Sequence, residues 1–400
     1  MSRPAISLIM PCHNRAHDLA RVLVAYDAQT GDVPFEIVAV DDGSHDATAA
    51  VLQAHRASRF TLRCEQMPVS GGPAGARNRA LELVEAPLAL FVGDDIVPSP
   101  DLVAGHVAAH ADAPDERDAI LGRIAWPDDL PRNTLMEHID GVGAQQFSFH
   151  YLRDGDEYDY RHFYTSNVSI KVALARNAGI RFDTAFPFAA MEDAEFAYRL
   201  SARGLRIHYR ADQIAYHYHF HTIWSFSERQ YRAGRMAALF AAKHPQLATD
   251  LRVSQTRVLR ALPWATTLDR VLHQPLPAAA LEQQLLSLCS TYEWTPHPLL
   301  DNLYLGALDY YWQKGLIDGV FTKPQRAERV RDAYAATALA PLLRRFIEHA
   351  RAIGVPLPIT QPDQLCTALL HTEPALLRRQ VGGRTPAAWV GAALRALRPA

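Results

Sequence analysis

The segment 88–98 constrains the fold more than any other part of the sequence. Its first five residues are all apolar, which is the pattern of a β-strand buried on both faces. Gly93 and two adjacent carboxylates, Asp94 and Asp95, follow at once. In an open α/β sheet such a strand end lies at the edge that binds ligands, although Gly-Asp-Asp is also common in surface turns. The segment therefore predicts either a carboxylate-bearing binding edge or an exposed turn.

Strand and helix patterns alternate through the first half of the chain, which favours a parallel sheet with helices on both faces. A glycine-rich loop at 71–75 opens one of the helices. The dinucleotide pattern GxGxxG is absent after the first strand and the P-loop pattern GxxxxGK[ST] is absent throughout, so neither of those nucleotide-binding classes is supported. The predicted strands cover residues 5–10, 35–40, 60–64, 88–92, 120–126 and 205–209, the last followed by a turn at Ala211-Asp212.

Length and composition narrow the class of protein. Four hundred residues predict two domains, or one large domain with an extension. A formal net charge of -2 gives no support for binding nucleic acid through a broad basic surface. The four cysteines are scattered without metal-like spacing, and no run of about 18 apolar residues is present, so we expect a soluble cytoplasmic protein.

Four short motifs, taken together and in order, resemble those of family 2 glycosyltransferases, which have the GT-A fold. They read Pro11-Cys12-His13-Asn14-Arg15, Val40-Asp41-Asp42-Gly43-Ser44, Gly75-Ala76-Arg77-Asn78 and Phe91-Val92-Gly93-Asp94-Asp95. The resemblance covers roughly residues 5–245, and several motifs in order are far more specific than one alone. It implies an α/β, Rossmann-like GT-A domain with a mostly parallel central sheet. We expect this domain over 1–243, with a nucleotide-sugar part at 1–105 and an acceptor-side part at 106–243.

The resemblance also implies which residues bind the nucleotide sugar. Pro11 and Asp41 would line the nucleobase pocket, and Asp95 would touch the metal ion that the donor diphosphate needs. The chain departs from the family pattern at Gly93, where an acid is usual, and at His13, where a tyrosine is common. The expected nucleotide-sugar residues are Pro11, His13, Asn14, Arg15, Asp41, Asp42, Arg77, Asn78, Asp94 and Asp95.

A second acidic pair, Glu192-Asp193, begins a segment with helical spacing. Acids at a helix start are stabilised by the helix dipole, so the pair has an ordinary structural explanation. In context it resembles the catalytic pair of the family, which implies that Asp193 is the general base and that Glu192 contacts the acceptor. A base on the side opposite the leaving diphosphate is consistent with single displacement and inversion.

Histidines alternate in the segment Tyr216-His217-Tyr218-His219-Phe220-His221. On a strand the three histidines would share one face, which suits a metal site as well as an exposed aromatic strand. The resemblance favours the metal: His217 matches the family's histidine ligand best, with His219 as the alternative. The implied cofactor is Mn²⁺ or Mg²⁺, held by Asp95 and a histidine.

The C-terminal part, 244–400, shows helical patterns separated by prolines, including 280–288, 300–312 and 326–352. We expect an α-helical domain there. Its last segment, Pro386–Arg398, has the pattern of a basic amphipathic helix. That helix suits docking onto the helical domain, peripheral contact with a membrane, or formation of a homo-oligomer, and the sequence leaves these open.

The predicted protein is an inverting, metal-dependent glycosyltransferase. It moves a sugar from a nucleotide-diphosphate donor, uridine-linked by the resemblance, to a hydroxyl of a glycan or glycoconjugate. Two alternatives are a sugar nucleotidyltransferase and a catalytically silent nucleotide-sugar-binding module that recruits partners. Gly93 is the feature that keeps the silent module under consideration.

Overall fold

A computed structural model describes residues 3–142, 145–146, 149–258 and 276–372. The described residues form two compact units, one from 3–132 and 139–220, the other from 133–138 and 221–372. Residues 221–243, expected from the sequence in the N-terminal domain, group by their contacts with the C-terminal helices. The functional domain ranges 1–243 and 244–400 stay a prediction.

The first unit is built on a single sheet, in which eight strands follow the order β3-β2-β1-β4-β8-β6-β9-β5 and β7 pairs with β9. The strands are β1 Ile6–Cys12, β2 Phe35–Asp41, β3 Thr61–Gln66, β4 Leu88–Val92, β5 Ile96–Pro98, β6 Asp118–Ala125, β7 Glu157–Tyr158, β8 Asn167–Lys171 and β9 Arg206–His217. The apolar run at 88–92 is thus confirmed as a strand, and all five of its residues are buried.

Most strands of this sheet run in the same direction. β1 pairs in parallel with β2 and β4, β2 pairs in parallel with β3, and β6 pairs in parallel with β9. β8 is antiparallel to both β4 and β6, so six of the nine strands share one direction. The expected mixed α/β fold with a mostly parallel sheet is confirmed.

Helices connect these strands. α3 packs against β1 and β2, whose residues are almost all buried, as expected for strands covered on their faces. The helices up to β9 are α1 Ala16–Asp27, α2 Thr48–Ala54, α3 Gly72–Leu83, α4 Leu102–Asp112, α5 Thr134–Gly141, α6 Val172–Ala178 and α7 Glu192–Ser201. The glycine-rich loop opens α3, as the sequence predicted.

The turn expected at Ala211-Asp212 is wrong, because β9 continues through both residues to His217. The register between β6 and β9 shifts between Gly122 and Arg123, where three residues of β9 are left without a paired residue on β6. This bulge explains the polar interruption in the sequence. It also lets β9 run on to the sheet edge, where His217 lies.

The second unit is helical in the residues described. Its helices after β9 are α8 Ile223–Lys243, α9 Val253–Val258, α10 Ala278–Thr291, α11 Leu300–Val320, α12 Pro324–Ala352 and α13 Pro362–Thr372. The three helical segments expected from the sequence are confirmed, and the amphipathic segment Pro386–Arg398 lies outside the described residues. None of the helices described is both long and apolar enough to cross a bilayer.

α8 and α11 approach each other closely enough for their backbones to touch. A Cβ atom on Gly234 would lie 2.0 Å from the carbonyl oxygen of Trp312, and one on Gly315 would lie 2.0 Å from that of Tyr231. Two glycines facing opposite backbones therefore set the distance between these helices.

We expect Gly234→Ala to destabilise the protein by about 1–3 kcal/mol, because the added methyl group meets backbone atoms that cannot move independently. The change should appear as a lower midpoint in urea unfolding followed by circular dichroism. Gly141→Ala, on α5, is the matched control, since a Cβ atom added there would meet no tertiary neighbour within 4 Å. Equal stability of Gly234→Ala and the control would contradict the close crossing.

Candidate active site

Strands β1, β2, β4 and β9 share one direction, so their carboxyl ends lie at the same edge of the sheet. Cys12 at the end of β1 pairs directly with Asp41 at the end of β2. In open α/β sheets this edge is where ligands bind. It is also where the four sequence motifs and the histidine segment arrive.

The two acids after β2 are buried but differ in their hydrogen bonds. Asp42 accepts from the Ser70 hydroxyl and from the Gly71 backbone N–H, each at 2.7 Å, and so anchors the glycine-rich loop. Asp41 accepts from the Ser44 backbone N–H at 3.0 Å through Oδ1, while its buried Oδ2 has no hydrogen-bond partner among the residues described. Leaving a buried acceptor unpaired is unfavourable, so Oδ2 is suited to accept an N–H or O–H from a ligand.

The loop after β1 is held by hydrogen bonds to the segment that follows β2. His13 Nδ1 lies 2.8 Å from the carbonyl oxygen of Asp42, which only accepts, so Nδ1 carries the proton. Its Nε2 then accepts from the Asn14 amide at 3.0 Å. Asn14 has a positive φ of 52° and accepts from the His45 backbone N–H at 2.8 Å. His13 and Asn14 stay exposed next to a partly buried Pro11, so the predicted nucleobase side of the site is open.

Asp95, His217 and His219 form a compact cluster, with their ligand atoms within 4.8 Å of one another. Asp95 Oδ2 lies 3.4 Å from His217 Nε2 and 3.4 Å from His219 Nδ1. Two ligand atoms that each lie about 2.1 Å from an ion in a tetrahedral shell are about 3.4 Å apart, so this spacing fits a single divalent ion. The Trp126 ring stacks on His217, with 5.5 Å between centroids and 11° between planes, and fixes the imidazole orientation.

The adjacent acids Asp94 and Asp95 differ in charge. Burial and the charge of Asp95 raise the pKa of Asp94 to about 8, and the backbone N–H of His13 at 3.0 Å offsets this only in part. Burial also acts to raise the pKa of Asp95, but His217, and with it the positive charge of Arg15, lowers it well below its ordinary value. Asp95 is therefore the more readily ionised of the two adjacent acids.

Gly93, the main departure from the family pattern, has a steric explanation. A Cβ atom there would lie 2.9 Å from Asp95 Oδ1 and 3.0 Å from Ile96 Cγ1. A larger side chain would displace the carboxylate of Asp95 from its position. Gly93 therefore makes room for the acid of the cluster.

The second acidic pair lies where α7 begins. Met191, just before it, has a positive φ of 68°, which is strained for a residue with a side chain and is often found at functional sites. Glu192 is buried and lies 2.7 Å from the Arg77 guanidinium. Burial and the charge of Asp193 raise the pKa of Glu192 to about 7. Burial likewise raises the pKa of Asp193, and the positive charge of Arg77 limits that rise.

Arg77 and Asn78, expected at the nucleotide sugar, both contact the segment around α7. Arg77 pairs with Glu192, and its guanidinium lies 5.6 Å from the centroid of the Phe182 ring. Asn78 donates to the Phe182 carbonyl and accepts from the Phe182 N–H, each at 2.8 Å. The structure thus brings Arg77 together with the predicted catalytic pair, and its role toward the donor stays a prediction.

The expectation that three histidines share one face of a strand is wrong. β9 ends at His217, and His219 reaches Asp95 from the segment after the strand. His221 belongs to the second unit, where its carbonyl accepts from the Asn133 amide at 2.8 Å. The sequence interpretation did not find Trp126, because nothing in the sequence links the end of β6 to His217.

Part of the sequence is similar to known proteins. Residues 7–182 match the family described as "Glycosyl transferase family 2". Over these residues the chain is similar to family 2 glycosyltransferases. The match indicates a glycosyltransferase rather than a nucleotidyltransferase.

Two glycosyltransferases and one solved structure illustrate what this chain is similar to. It is 24% identical over 255 residues to an uncharacterized glycosyltransferase, YfnE, of Bacillus subtilis, covering 53% of this chain and 64% of that protein. It is 28% identical over 311 residues to validoxylamine A glucosyltransferase of Streptomyces hygroscopicus subsp. jinggangensis, covering 71% of each. A crystal structure of S. aureus TarS 1–349 in complex with UDP aligns with a TM-score of 0.47 and 17% identity, over 89% of this chain and 94% of that one.

The raised pKa of Glu192 predicts a pH dependence of stability. Between the pKa of about 4.3 of an unfolded glutamate and about 7, the folded state binds more protons than the unfolded state, so stability falls as pH rises. In Glu192→Gln the free energy of unfolding should fall less steeply as pH rises from 5 to 7. The difference in slope should be up to about 1.4 kcal/mol per pH unit. Urea unfolding at pH 5, 6 and 7 measures it.

Glu82→Gln is the control for this measurement. Glu82 hydrogen-bonds Arg181 and Arg79, which lower its pKa, so its contribution changes only at pH values below the range measured. The control should keep the slope of the unsubstituted protein. An unchanged slope in Glu192→Gln would show that Glu192 is ionised throughout.

Proposed function

We propose that this glycosyltransferase is inverting and divalent-metal-dependent, and that it transfers a sugar from a uridine diphosphate sugar to a hydroxyl of a glycan or glycoconjugate. The observation that carries the proposal is the cluster of Asp95, His217 and His219 at the carboxyl edge of the sheet. A cation site at this edge suits a diphosphate, whose negative charge grows as it leaves.

The nucleobase side supports a uridine donor. Asp41 Oδ2 is a buried acceptor without a partner in the described structure, next to the exposed His13. A uracil ring presents one N–H donor on its pairing edge, which is the group that such an acceptor needs. We infer that Asp41 accepts this hydrogen bond and that Pro11 and Asn14 border the base.

Asp193 is proposed as the general base. Its raised pKa makes it a stronger base than an exposed aspartate, and Arg77 keeps the pair from carrying two uncompensated negative charges. In the step, the acceptor oxygen forms a bond to the anomeric carbon while the bond to the diphosphate oxygen breaks. The hydroxyl proton goes to Asp193, and attack opposite the leaving group inverts the configuration.

The donor atoms of the cluster indicate which ion suits it. One carboxylate oxygen and two imidazole nitrogens favour a transition metal such as Mn²⁺ over Mg²⁺, which prefers oxygen ligands. When bound, such an ion would neutralise charge on the leaving diphosphate. The residues that would hold it are Asp95, His217 and His219.

The names of the relatives support a hydroxyl acceptor on a larger molecule. One is a validoxylamine A glucosyltransferase, and another, 36% identical over only 93 residues, is the poly(ribitol-phosphate) beta-N-acetylglucosaminyltransferase TarS of Staphylococcus aureus. Both names describe transfer of a hexose or its N-acetylamino derivative. We infer a hexose-type donor sugar, a cytoplasmic reaction and an acceptor of the glycoconjugate class.

Asp193→Asn should lower kcat by about 10²–10⁴-fold, because the amide cannot take the acceptor proton. Release of UDP from a UDP-sugar in the presence of Mn²⁺ and acceptor measures the rate, and a thermal shift with the same donor measures binding, which should persist. Asp112→Asn, at an exposed position on α4, is the matched control. Turnover at the unsubstituted rate in Asp193→Asn would rule out its role as base.

Removing metal with EDTA should abolish turnover, and Mn²⁺ should restore it more fully than Mg²⁺. Mn²⁺ should also raise the melting temperature by mass action, and Asp95→Asn should lose that rise. Asp94→Asn should keep it, since the amide resembles the protonated acid that Asp94 is at neutral pH. A rise that persists in Asp95→Asn would place the metal elsewhere.

A further inference from the structure

The guanidinium of Arg15 lies against the predicted metal ligands. Its Nη2 is 2.7 Å from His219 Nδ1 and 3.5 Å from Asp95 Oδ2. Arg15 comes from the loop after β1, and no local pattern associates it with the histidine segment 204 residues further along the chain. The fold therefore brings a permanently charged guanidinium to the position where a divalent ion is expected.

The contact between Arg15 and His219 determines where the His219 lone pair points. A guanidinium can only donate, so Nδ1 of His219 is the acceptor. A metal ion binds an imidazole through the lone pair of an unprotonated nitrogen, and binds a carboxylate through its oxygen. Arg15 and the ion therefore need the same nitrogen of His219, and the single lone pair of that nitrogen binds only one of them.

Charge strengthens this competition. The carboxylate of Asp95 is largely buried, and a buried charge without a counter-charge is unfavourable, so Arg15 stabilises it when no ion is bound. A divalent ion supplies more positive charge at the same place. Two cations about 4 Å apart repel strongly in a partly buried site, so Arg15 has to leave when the ion binds.

Arg15 also contacts an acid outside the cluster. Its Nη1 is 3.5 Å from Asp18 Oδ2, and its side chain is 32% exposed. The Arg15 backbone N–H donates to Thr48 Oγ1 at 3.0 Å, so the main chain is held while the side chain is able to change rotamer. The loop after β1 lies at the edge of the sheet where the donor diphosphate is proposed to lie, and an arginine fork suits phosphate oxygens.

We propose that Arg15 occupies the cation position of the metal-free protein, that a divalent ion displaces it, and that the released guanidinium then binds the donor diphosphate. This inference rests on the proposed metal-dependent function. It makes the two binding events depend on each other, because the ion both fills its own site and frees a residue for the nucleotide. Removing Arg15 should therefore change metal affinity and nucleotide affinity in opposite directions.

The test is calorimetric titration of the full chain with Mn²⁺ alone, and then with UDP at saturating Mn²⁺. Arg15→Gln should bind Mn²⁺ about 10- to 100-fold more tightly than the unsubstituted protein, as expected when a charged hydrogen bond no longer has to be broken. The same variant should bind UDP about 10-fold or more weakly, because a charged contact to phosphate is lost. The double variant Arg15→Gln/Asp95→Asn should lose the gain in Mn²⁺ affinity.

Arg21→Gln is the matched control. Arg21 lies on α1, the helix that Arg15 precedes, and its guanidinium stacks on Tyr218, 4.1 Å from the ring centroid. Its Mn²⁺ and UDP affinities should stay within about two-fold of the unsubstituted values. Circular dichroism in EDTA verifies that each variant is folded.

Equal or weaker Mn²⁺ binding in Arg15→Gln would overturn the displacement, and unchanged UDP binding would overturn the role toward the diphosphate. Absence of Mn²⁺ binding in every variant would overturn the inference and the proposed metal dependence together. Failure of glycosyl transfer as such is detected separately, by UDP release from UDP-sugars in the assay of Asp193. Failure of the Arg15 displacement is therefore distinguishable from failure of glycosyl transfer.

Discussion

The carboxylate of Asp95 lies just past the buried strand β4, where its negative charge has to be balanced. His217, His219 and Arg15 approach it from two other parts of the chain, and burial together with the charge of Asp95 raises the pKa of the adjacent Asp94. Gly93 leaves the space that Asp95 needs. β9, Trp126 and the loop after β1 hold these groups in position around Asp95.

A second pair of adjacent acids is compensated by an arginine at the start of α7. Glu192 and Asp193 are adjacent acids in a buried setting, and the single guanidinium of Arg77 compensates for part of their charge. In both pairs burial and the charge of the neighbouring acid raise the pKa of one carboxyl, to about 8 for Asp94 and to about 7 for Glu192. Arg77 and Arg15 are thus analogous, because each is a permanently charged group that allows carboxylates to be buried at the sheet edge.

Much of the fold was predictable because its signals are local. Strands such as β1, β2 and β4 are short apolar runs, and the C-terminal helices follow helical spacing between prolines, so residues close in sequence carry the information. The continuation of β9 was not predictable, because its bulge is stabilised by pairing with β6 and by Asn167, whose amide donates to the carbonyls of Arg123 and Gln213. That strand pairing involves residues distant in sequence, which local patterns do not describe.

The amino-acid order alone indicates the fold class and predicts the family and the residue types of the site, through the ordered motifs and through Asp95, Asp193 and His217. Packing in three dimensions established how they are combined: that His219 joins His217 at Asp95, that Arg77 pairs with Glu192, and that Arg15 lies at the proposed cation position. These pairings escape prediction because charge compensation depends on distances of a few ångströms between side chains from different strands and helices. Those distances are set by packing of the whole sheet edge, and no short segment of sequence contains them.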